Sequence, residues 1–591
     1  MIARILITKV AAMLRFRHRA FILPAVLFLT FGLIACDSAL EEEPQTFRNP
    51  DNYYETVSEV EAAASGMYRP LLTYDGFKFP MWSDAACEND FTHCPSWFGG
   101  GMTGAWEGKW WQGNQWSGYY QVIAQANLLL QNVPESPVSE EIKDWGMGQA
   151  HFLRGYAYYS LAIRYGDVPI RDELYKPADG AFGDAERDPV NAVFQQAASD
   201  LKKAADELPS DYAAYQRGRP TAAAAKGLLA KTYLHMAGKQ FTQDQSEPEW
   251  YDETLANNQQ AYLDSARIWA GEVVTQAENN AFPSLADDYM TNFDTETQDE
   301  SNEMLFSIQA AGHSDGGFAQ GSEIPQYYNP GGPDLDGSPF HGGFTGDVTT
   351  LRYKWVQSQE DGDERFEVGT ALHDSYLRYG SDPTYVKEAV PDGAVMDTTD
   401  DGMDNPEAPC EPDFQENDGV KEEYEGVVWL MNDAFCTPPS PENEDDFIRV
   451  SPRYYTRKYV DPGANTKFEN GTNPVVLRYA DVVLIYAEAL ARTGSQSEAF
   501  TQLNKVRDRA GVPYNSMSDI SEPTLTEAVW AERARELYAE HDRRFDLLRQ
   551  GRYFERMEAV GKSRPPRKRL LPIPEAEING NAMIDTNNPG Y

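Results

Sequence analysis

Basic residues, cysteine and long apolar runs are all scarce in this sequence of 591 residues. Lys and Arg number 51 against 93 Asp and Glu, which gives a formal net charge of −42 at pH 7. Nucleic acid and anionic lipid headgroups would repel such a chain, so neither is expected as a partner. A heavily acidic surface is expected instead, and one hypothesis is that the protein works in a saline habitat.

The motifs of several enzyme classes are missing as well. No H-E-x-x-H zinc-protease motif and no phosphate-binding loop occur, and the cysteines do not have zinc-finger spacing. Residues 312–316 fit G-x-S-x-G, but Gly317, Gly321 and Pro325 follow and cannot begin the helix that a nucleophile elbow requires. We therefore predict that the protein is not an enzyme. A secreted glycoside hydrolase with paired carboxylates is kept as the alternative from another class.

One acidic stretch partly resembles an EF-hand calcium loop. Asp397, Asp401 and Gly402 fit its first, fifth and sixth positions, whereas Thr399 and Ala408 occupy positions that need an oxygen-rich ligand and a Glu. We expect a solvated acidic loop and no cofactor, with a calcium site of another kind as the alternative.

An apolar run near the amino terminus has the features of an export signal. Residues 20–35 follow a basic stretch without acidic residues, and the run is too short for a comfortable transmembrane helix. It ends in Leu33-Ile34-Ala35-Cys36, which matches the bacterial lipobox. We predict a signal peptide over residues 1–35, lipidation of Cys36, a polar tether over residues 36–50, and attachment to a membrane through the acyl chains.

The remaining four cysteines form two pairs that are close in sequence. Cys87 and Cys94 lie in one loop rich in Gly, Pro and Asp, and Cys410 and Cys436 lie in another. An even count in an oxidising compartment predicts two disulfides that staple these loops.

Helical periodicity dominates both ends of the mature chain. It predicts helices over about residues 52–72, 116–131 and 138–164, and a further helix behind Asp188-Pro189. Residues 220–238 with 259–276, and the stretch before Gly494 with the one after it, look like helix pairs of the tetratricopeptide type.

The centre of the chain has a different character. Residues 281–470 are poor in helix signals and rich in Gly, Pro, Asp and Asn, and Met304 to Ile308 form a strand candidate. We predict a mostly α fold, with a tetratricopeptide-like helical-pair scaffold, long irregular loops and a few short strands. An amino-terminal helical region over 51–280 would be followed by the irregular region over 281–470 and a carboxy-terminal helical region over 471–591.

Several blocks of this sequence resemble the SusD/RagB family of surface lipoproteins. They comprise residues 152–159, 165–170, 227–234, 477–489, 503–511, 532–537, 543–551, 571–574 and 588–591. We interpret the charged side chains of the 532–551 blocks as partners in internal ion pairs and as caps on carbonyl groups. These are Arg533, Arg535, Arg543, Arg544 and Asp546. Residues 571–574 should form an extended segment that packs on the core, because its prolines oppose helix.

The resemblance implies both an architecture and a role. It implies four tetratricopeptide-like pairs and a ligand site on loops outside them. It also implies a place at the outer membrane, on the extracellular face, as a lid on a TonB-dependent transporter.

Tryptophan is concentrated where the resemblance places binding aromatics. Six of the twelve Trp residues lie within 82–116, and flat indoles on a rigid loop can stack on the apolar faces of sugar rings. Trp116 is predicted to pack in the core. The predicted ligand-binding residues are Trp82, Asp84, Asn89, Trp97, Phe98, Trp106, Tyr327 and Tyr328. Capture of an oligosaccharide is the leading hypothesis, and capture of a peptide by the same architecture is the alternative.

Overall fold

Helices supply most of the regular structure. The computed structural model describes residues 53–72, 88–93, 110–173, 185–212, 218–243, 248–280, 282–310, 350–352, 355–356, 358–372, 454–461, 470–540 and 542–591. Residues Tyr54–Tyr591 belong to one compact unit. The signal peptide and tether predicted over residues 1–50 lie outside the described residues.

The α-helices of the described ranges fall into two groups, which lie before and after the central part of the sequence, residues 281–470. The first group is α1 Val57–Gly66, α2 Arg69–Leu72, α3 Trp110–Asn132, α4 Glu140–Tyr165, α5 Val190–Glu207, α6 Ala222–Met236, α7 Glu253–Asn257 and α8 Gln259–Asn280. One turn of helix, α9 Glu364–Glu367, lies in the centre. The second group is α10 Tyr479–Arg492, α11 Gln496–Arg509, α12 Leu525–Glu536, α13 Arg543–Gln550, α14 Tyr553–Ala559 and α15 Glu575–Gly580.

Local sequence explains where several helices begin and end. Thr56 and Glu59 form a capping box at the start of α1, and the Thr221 hydroxyl accepts a hydrogen bond from the Ala224 amide at the start of α6. Both contacts satisfy amide groups that have no partner within their helix. Helix α13 ends at Gly551, whose φ of 74° is readily adopted only by glycine.

The long helices pack on one another in chain order. Helix α3 packs on α4, then α5, α6, α8 and α10 follow, and α11 and α12 both pack on α10. Glycines allow close approach of α5 to α4 and of α10 to α6: a Cβ on Gly155 would lie 2.8 Å from Leu201 Cγ, and one on Gly227 would lie 2.8 Å from Val482 Cγ2. The predicted helical-pair scaffold is therefore confirmed.

The strands are short, and all of their pairings are antiparallel. They are β1 Thr92–His93, β2 Met304–Ser307, β3 Thr350–Leu351, β4 Thr370–Leu372, β5 Tyr454–Thr456 and β6 Val475–Arg478. One sheet has the order β1-β3-β5-β4, and β2 pairs with β6 in a second. The strand predicted from Met304 is confirmed. The first sheet joins β1, which is far earlier in the sequence, to three strands from residues 350–456.

Observed boundaries differ from the predicted ones mainly at the amino-terminal helices. The helix predicted over residues 52–72 is two helices, α1 and α2, because the chain turns at Met67 and Tyr68. Helix α3 begins at Trp110, six residues before the predicted start. Gly113 and Asn114 disfavour helix, so the sequence pattern indicates a helix only from Trp116 onward.

Buried ion pairs hold the described parts of the centre against the carboxy-terminal helices. The Arg478 guanidinium lies 2.5 Å from both Glu303 and Glu536, and all three side chains are fully buried. Arg365 bonds in the same way to Asp363 at 2.7 Å and to Glu532 at 2.5 Å. A buried charge is tolerated only when it is paired and hydrogen-bonded, so these contacts fix segments that have little regular structure of their own.

The internal roles predicted for the charged blocks are confirmed. Arg533 lies 2.6 Å from Asp481 and 2.9 Å from Asp546, and Arg544 donates a hydrogen bond of 3.0 Å to the Lys568 carbonyl. Arg535 pairs with Glu532 at 3.1 Å. Arg543 pairs with an acid that is more than 450 positions earlier in the sequence, as described below.

The carboxy-terminal segment also packs as predicted. Residues 571–574 have no helical structure, and Ile573 is only 1% exposed. The buried Asn588 carboxamide donates hydrogen bonds to the Tyr165 and Leu571 carbonyls, at 2.9 and 2.6 Å. The chain terminus is thereby tied to the end of helix α4.

Candidate functional site

The segment 88–93 lies between the two stretches that carry most of the predicted ligand-binding residues. Trp82 and Asp84 precede it, and Trp97, Phe98 and Trp106 follow it. We call residues 88–93 the loop root. Its side chains from Glu88 to Thr92 are all buried, so the segment between these stretches is part of the core.

The Asn89 carboxamide shapes the loop root. Its Oδ1 accepts hydrogen bonds from the Phe91 amide, the Thr92 amide and the Thr92 hydroxyl, at 3.0, 3.0 and 2.9 Å. Asn89 is 0% exposed, so in this conformation it holds the turn and does not face a ligand. Asn89 therefore supports the turn from inside, contrary to the predicted direct contact of this residue with a ligand. The position of Asn89 among aromatic residues suggests a ligand contact, but an Asn side chain can equally accept hydrogen bonds from its own turn, as it does here.

Two arginines bind the Asp90 carboxylate and so keep the loop root in place. Arg543 Nε and Nη2 donate to the two carboxylate oxygens at 2.7 and 2.9 Å, and Arg556 Nε donates to Oδ2 at 2.7 Å. Burial opposes ionisation of Asp90, but Arg543 and then Arg556 outweigh it and hold the pKa of this carboxyl well below its usual range. The bidentate geometry fixes the orientation of the root as well as its position.

Glu88 forms a second buried contact with the carboxy-terminal helices. Its carboxylate accepts hydrogen bonds from the Tyr553 hydroxyl and from Arg564, the latter at 3.2 Å. Burial alone would raise the pKa of Glu88, but Arg564 and Arg544 lower it to about 2. Glu88 is therefore a carboxylate at any physiological pH.

Lys562 and a pair of aromatic rings complete the attachment. The buried Lys562 ammonium donates to the Asn89 and Thr92 carbonyls, at 3.0 and 2.7 Å. Phe91 stacks on Trp355 with the ring centroids 4.7 Å apart, and β1 pairs with β3 next to them. No local sequence pattern indicates a role for Arg556, Lys562 or Arg564, because their partners are hundreds of residues away.

The loop root is fixed from several sides. Arg543, Arg556, Lys562 and Arg564 hold it through ion pairs and hydrogen bonds, and strand β1 joins it to a sheet.

Trp116 is a core residue, as predicted. It is 3% exposed, its ring meets Tyr165 edge-on at 5.0 Å, and its Nε1 donates to Glu577 at 3.3 Å. Trp116 therefore joins the start of α3 to the end of α4 and to α15.

Most of the other predicted site residues lie outside the described residues. These are Trp82, Asp84, Trp97, Phe98, Trp106, Tyr327, Tyr328, Cys36, Cys87, Cys94, Cys410 and Cys436. The G-x-S-x-G stretch and the acidic loop at 397–408 lie outside them too. These assignments stay predictions.

In the described ranges, no group of three or more His, Cys, Asp or Glu is placed to hold a metal ion. None of the helices in those ranges is long and apolar enough to cross a bilayer.

Comparison with known proteins identifies the family. Residues 267–591 match the model of the SusD family, which covers more than half of the chain. The chain belongs to the SusD family. Residues 101–234 also match a SusD-like family described as starch-binding and associating with the outer membrane.

Similar proteins match over nearly their full length. SusD-like protein P25 of Formosa agariphila is 23% identical, over 95% of this chain and 98% of its own. A SusD homologue from Bacteroides thetaiotaomicron superposes with a TM-score of 0.67 at 19% identity, over 92% of this chain and 98% of that one. Surface glycan-binding protein A from the same organism, in complex with laminarihexaose, superposes with a TM-score of 0.62 at 18% identity, over 90% and 99%. At these identities the structural matches establish the SusD fold.

Proposed function

We propose that this SusD-family chain is an outer-membrane lipoprotein that binds an oligosaccharide and delivers it intact to a partner TonB-dependent transporter. The observation that carries the proposal is the buried loop root, which gives the aromatic stretches on both sides a fixed base. The laminarihexaose complex of a protein with the same fold supports an oligosaccharide as the ligand.

Stacking supplies the binding energy in this proposal. Trp82, Trp97, Phe98 and Trp106 present flat apolar faces to the sugar rings, Asp84 bonds to hydroxyl groups, and Tyr327 and Tyr328 add a second face. Each stacked ring removes tens of Å² of apolar surface from water, which contributes on the order of 1 kcal/mol at about 25 cal/mol per Å². Binding by stacking and hydrogen bonds leaves every glycosidic bond in place.

Two substitutions test the site. Trp82→Ala with Trp97→Ala should abolish measurable binding of laminarihexaose, or of whichever neutral hexasaccharide in a panel the wild type binds, by calorimetry. Trp530→Ala, which removes an indole from helix α12 instead, is the matched control and should bind as wild type. Unchanged affinity in the double variant would remove both tryptophans from the site.

Disulfides would fix the residues next to the loop root as well. Cys87 and Cys94 directly flank the loop root in sequence, so a bond between them would close the loop where the aromatic stretches begin; Cys410 and Cys436 would form the second staple. Peptide mapping without reduction should recover each pair as one linked peptide. Free thiols at all four positions would refute the pairing.

Membrane attachment depends on Cys36 in this proposal. The intact mass of protein from the membrane fraction should correspond to residues 36–591 with a diacylglyceryl group and an additional acyl chain. Cys36→Ser should release the protein from membranes. An unmodified Cys36 in the mature wild-type protein would contradict the anchor.

Delivery requires a transporter partner. Purification of the tagged chain from native outer membranes should recover a TonB-dependent transporter, and the Trp82→Ala/Trp97→Ala variant should recover it equally well, because the ligand site lies outside the helical repeats. Recovery of no transporter would restrict the function to capture at the surface.

A further inference from the structure

A cleft of about 270 Å³ lies beside strand β2 and the connection between helices α5 and α6. Its walls include Leu305 and Phe306 of β2, and Tyr212 and Phe282 from two other segments. Ligand pockets for molecules of drug size span about 300–1,000 Å³. The cleft therefore has room for one or two sugar rings and not for a long chain.

Two of the aromatic residues that line the cleft, Tyr212 and Phe282, are half-buried. Tyr212 follows helix α5, and Phe282 follows helix α8, so the rings reach the cleft from separate elements. The Tyr212 hydroxyl is buried beside the Trp145 indole and the Arg219 guanidinium. Because the hydroxyl points into the protein while the residue is only half-buried, the open part of the ring faces the cleft and can stack on a sugar.

Two exposed carboxamides also line the cleft. They belong to Asn302 and Gln309. The Gln309 side chain passes directly over Gly218, where a Cβ would lie 2.4 Å from Gln309 Cγ, and its Nε2 donates to the Ser307 hydroxyl at 3.0 Å. Carboxamides both donate and accept hydrogen bonds, so they complement sugar hydroxyls, which do the same.

The charges of the lining favour an uncharged ligand. Asp211 and Asp299 contribute carboxylates. Arg219, the one basic side chain among the described lining residues, donates to Gln149 Oε1 at 2.6 Å and to Ser65 Oγ at 2.9 Å. Two carboxylates against one guanidinium leave the described lining with a net negative charge. A sulfated or uronic saccharide, or the carboxylate of a peptide, would meet net repulsion there.

We infer that this cleft is a second saccharide-binding site, which takes one or two rings of a neutral oligosaccharide between Tyr212 and Phe282. The inference rests on the proposed function and adds a site built entirely from residues outside the loop root and its aromatic stretches. A ligand held at two sites along its length gains affinity from the second contact without any change in the first.

Calorimetry on cleft variants tests the inference. The probes are laminarihexaose and the neutral gluco-, xylo- and manno-hexasaccharides. Tyr212→Ala and Phe282→Ala should each weaken binding of the hexasaccharide that the wild type prefers by about 3- to 10-fold, the effect of losing one stacking contact. Gln309→Ala provides a variant that leaves the aromatic packing intact and should weaken binding in the same direction. Ile268→Ala, an exposed apolar residue of helix α8, is the control and should bind as wild type.

The outcomes separate this inference from the proposed function. Wild-type affinity in all three cleft variants, with binding lost in Trp82→Ala/Trp97→Ala, would overturn the cleft and leave the loop site standing. Weakened binding in the cleft variants with an unaffected double tryptophan variant would place the saccharide in the cleft and remove it from the loops. A wild type that binds peptides and no neutral hexasaccharide would overturn both. Crystals soaked in the preferred hexasaccharide should show a sugar ring against Phe282.

Discussion

Asp90→Asn should loosen the loop root and weaken ligand binding together. The substitution keeps the size of the side chain but removes the charge that faces Arg543 and Arg556. Three charge-assisted hydrogen bonds of 2.7, 2.9 and 2.7 Å are weakened or lost. Arg543 is then left largely buried without its carboxylate.

The magnitude follows from how deeply each arginine is buried. The side chains of Asp90 and Arg543 are 1% and 12% exposed, and loss of one partner from a buried pair costs about 3–5 kcal/mol. Arg556 is 38% exposed, so solvent screening reduces its share to well under about 1 kcal/mol. We expect a loss of about 3 kcal/mol of unfolding free energy, which arises almost entirely from the Arg543 contact.

Three measurements check this expectation. Urea unfolding gives the loss in stability, hydrogen exchange shows whether the amides of residues 88–93 lose protection, and calorimetry with the preferred hexasaccharide gives the affinity. Glu555→Gln breaks an exposed pair with Arg552 on helix α14 and should change stability by less than about 0.5 kcal/mol. In a double-mutant cycle, Asp90→Asn and Arg543→Gln should be strongly non-additive. An Asp90→Asn protein as stable as the Glu555→Gln control, with unchanged exchange and affinity, would refute the fixed-root argument.

Three further perturbations test other parts of the structure. Burial opposes ionisation of Glu88, but Arg564 and Arg544 lower its pKa to about 2 from an ordinary 4.5, so the stability that this carboxylate contributes is complete above pH 4.5 and is lost as the pH falls to about 2. The difference in unfolding free energy between wild type and Glu88→Gln should therefore shrink by up to about 3 kcal/mol across that window. A difference that stays constant with pH would contradict this assignment. Asn588→Ala should lower the free energy of unfolding by about 1–3 kcal/mol, because two buried carbonyl groups lose their hydrogen-bond donor. The urea midpoint should fall while the dependence of the free energy on urea stays unchanged. A loss below about 0.5 kcal/mol would show that the carboxy terminus is not tied to helix α4. Added NaCl should raise the melting temperature of a chain with a net charge of −42, and full stability in dilute buffer would argue against the saline hypothesis.

Periodicity identified the helical scaffold because those helices bury one face against a neighbour in chain order. Helix α5 shows its buried face directly, since Val193, Ala197, Leu201 and Ala204 are all 0% exposed, whereas Lys202 and Lys203 are exposed. Contacts of this kind are local enough for their spacing to be read from the residues alone.

The loop root could not be read in the same way. Asp90 forms ion pairs with Arg543 and Arg556, which lie more than 450 positions later in the sequence, and no local sequence pattern connects these residues. Asn89 shows a related limit, because a polar residue among aromatics suits a ligand site and an internal turn equally well. The cleft beside β2 is a further example: Tyr212, Phe282 and Gln309 come from three segments and meet only in the folded chain.

Recovery of intact ligand after saturable binding tests the central claim most directly. Wild-type protein titrated with its preferred neutral hexasaccharide should bind to saturation, and chromatography of the same sample after prolonged incubation should return the hexasaccharide at full length with no new reducing ends. Shorter products would identify a glycoside hydrolase, and the absence of binding to any neutral oligosaccharide would contradict glycan capture.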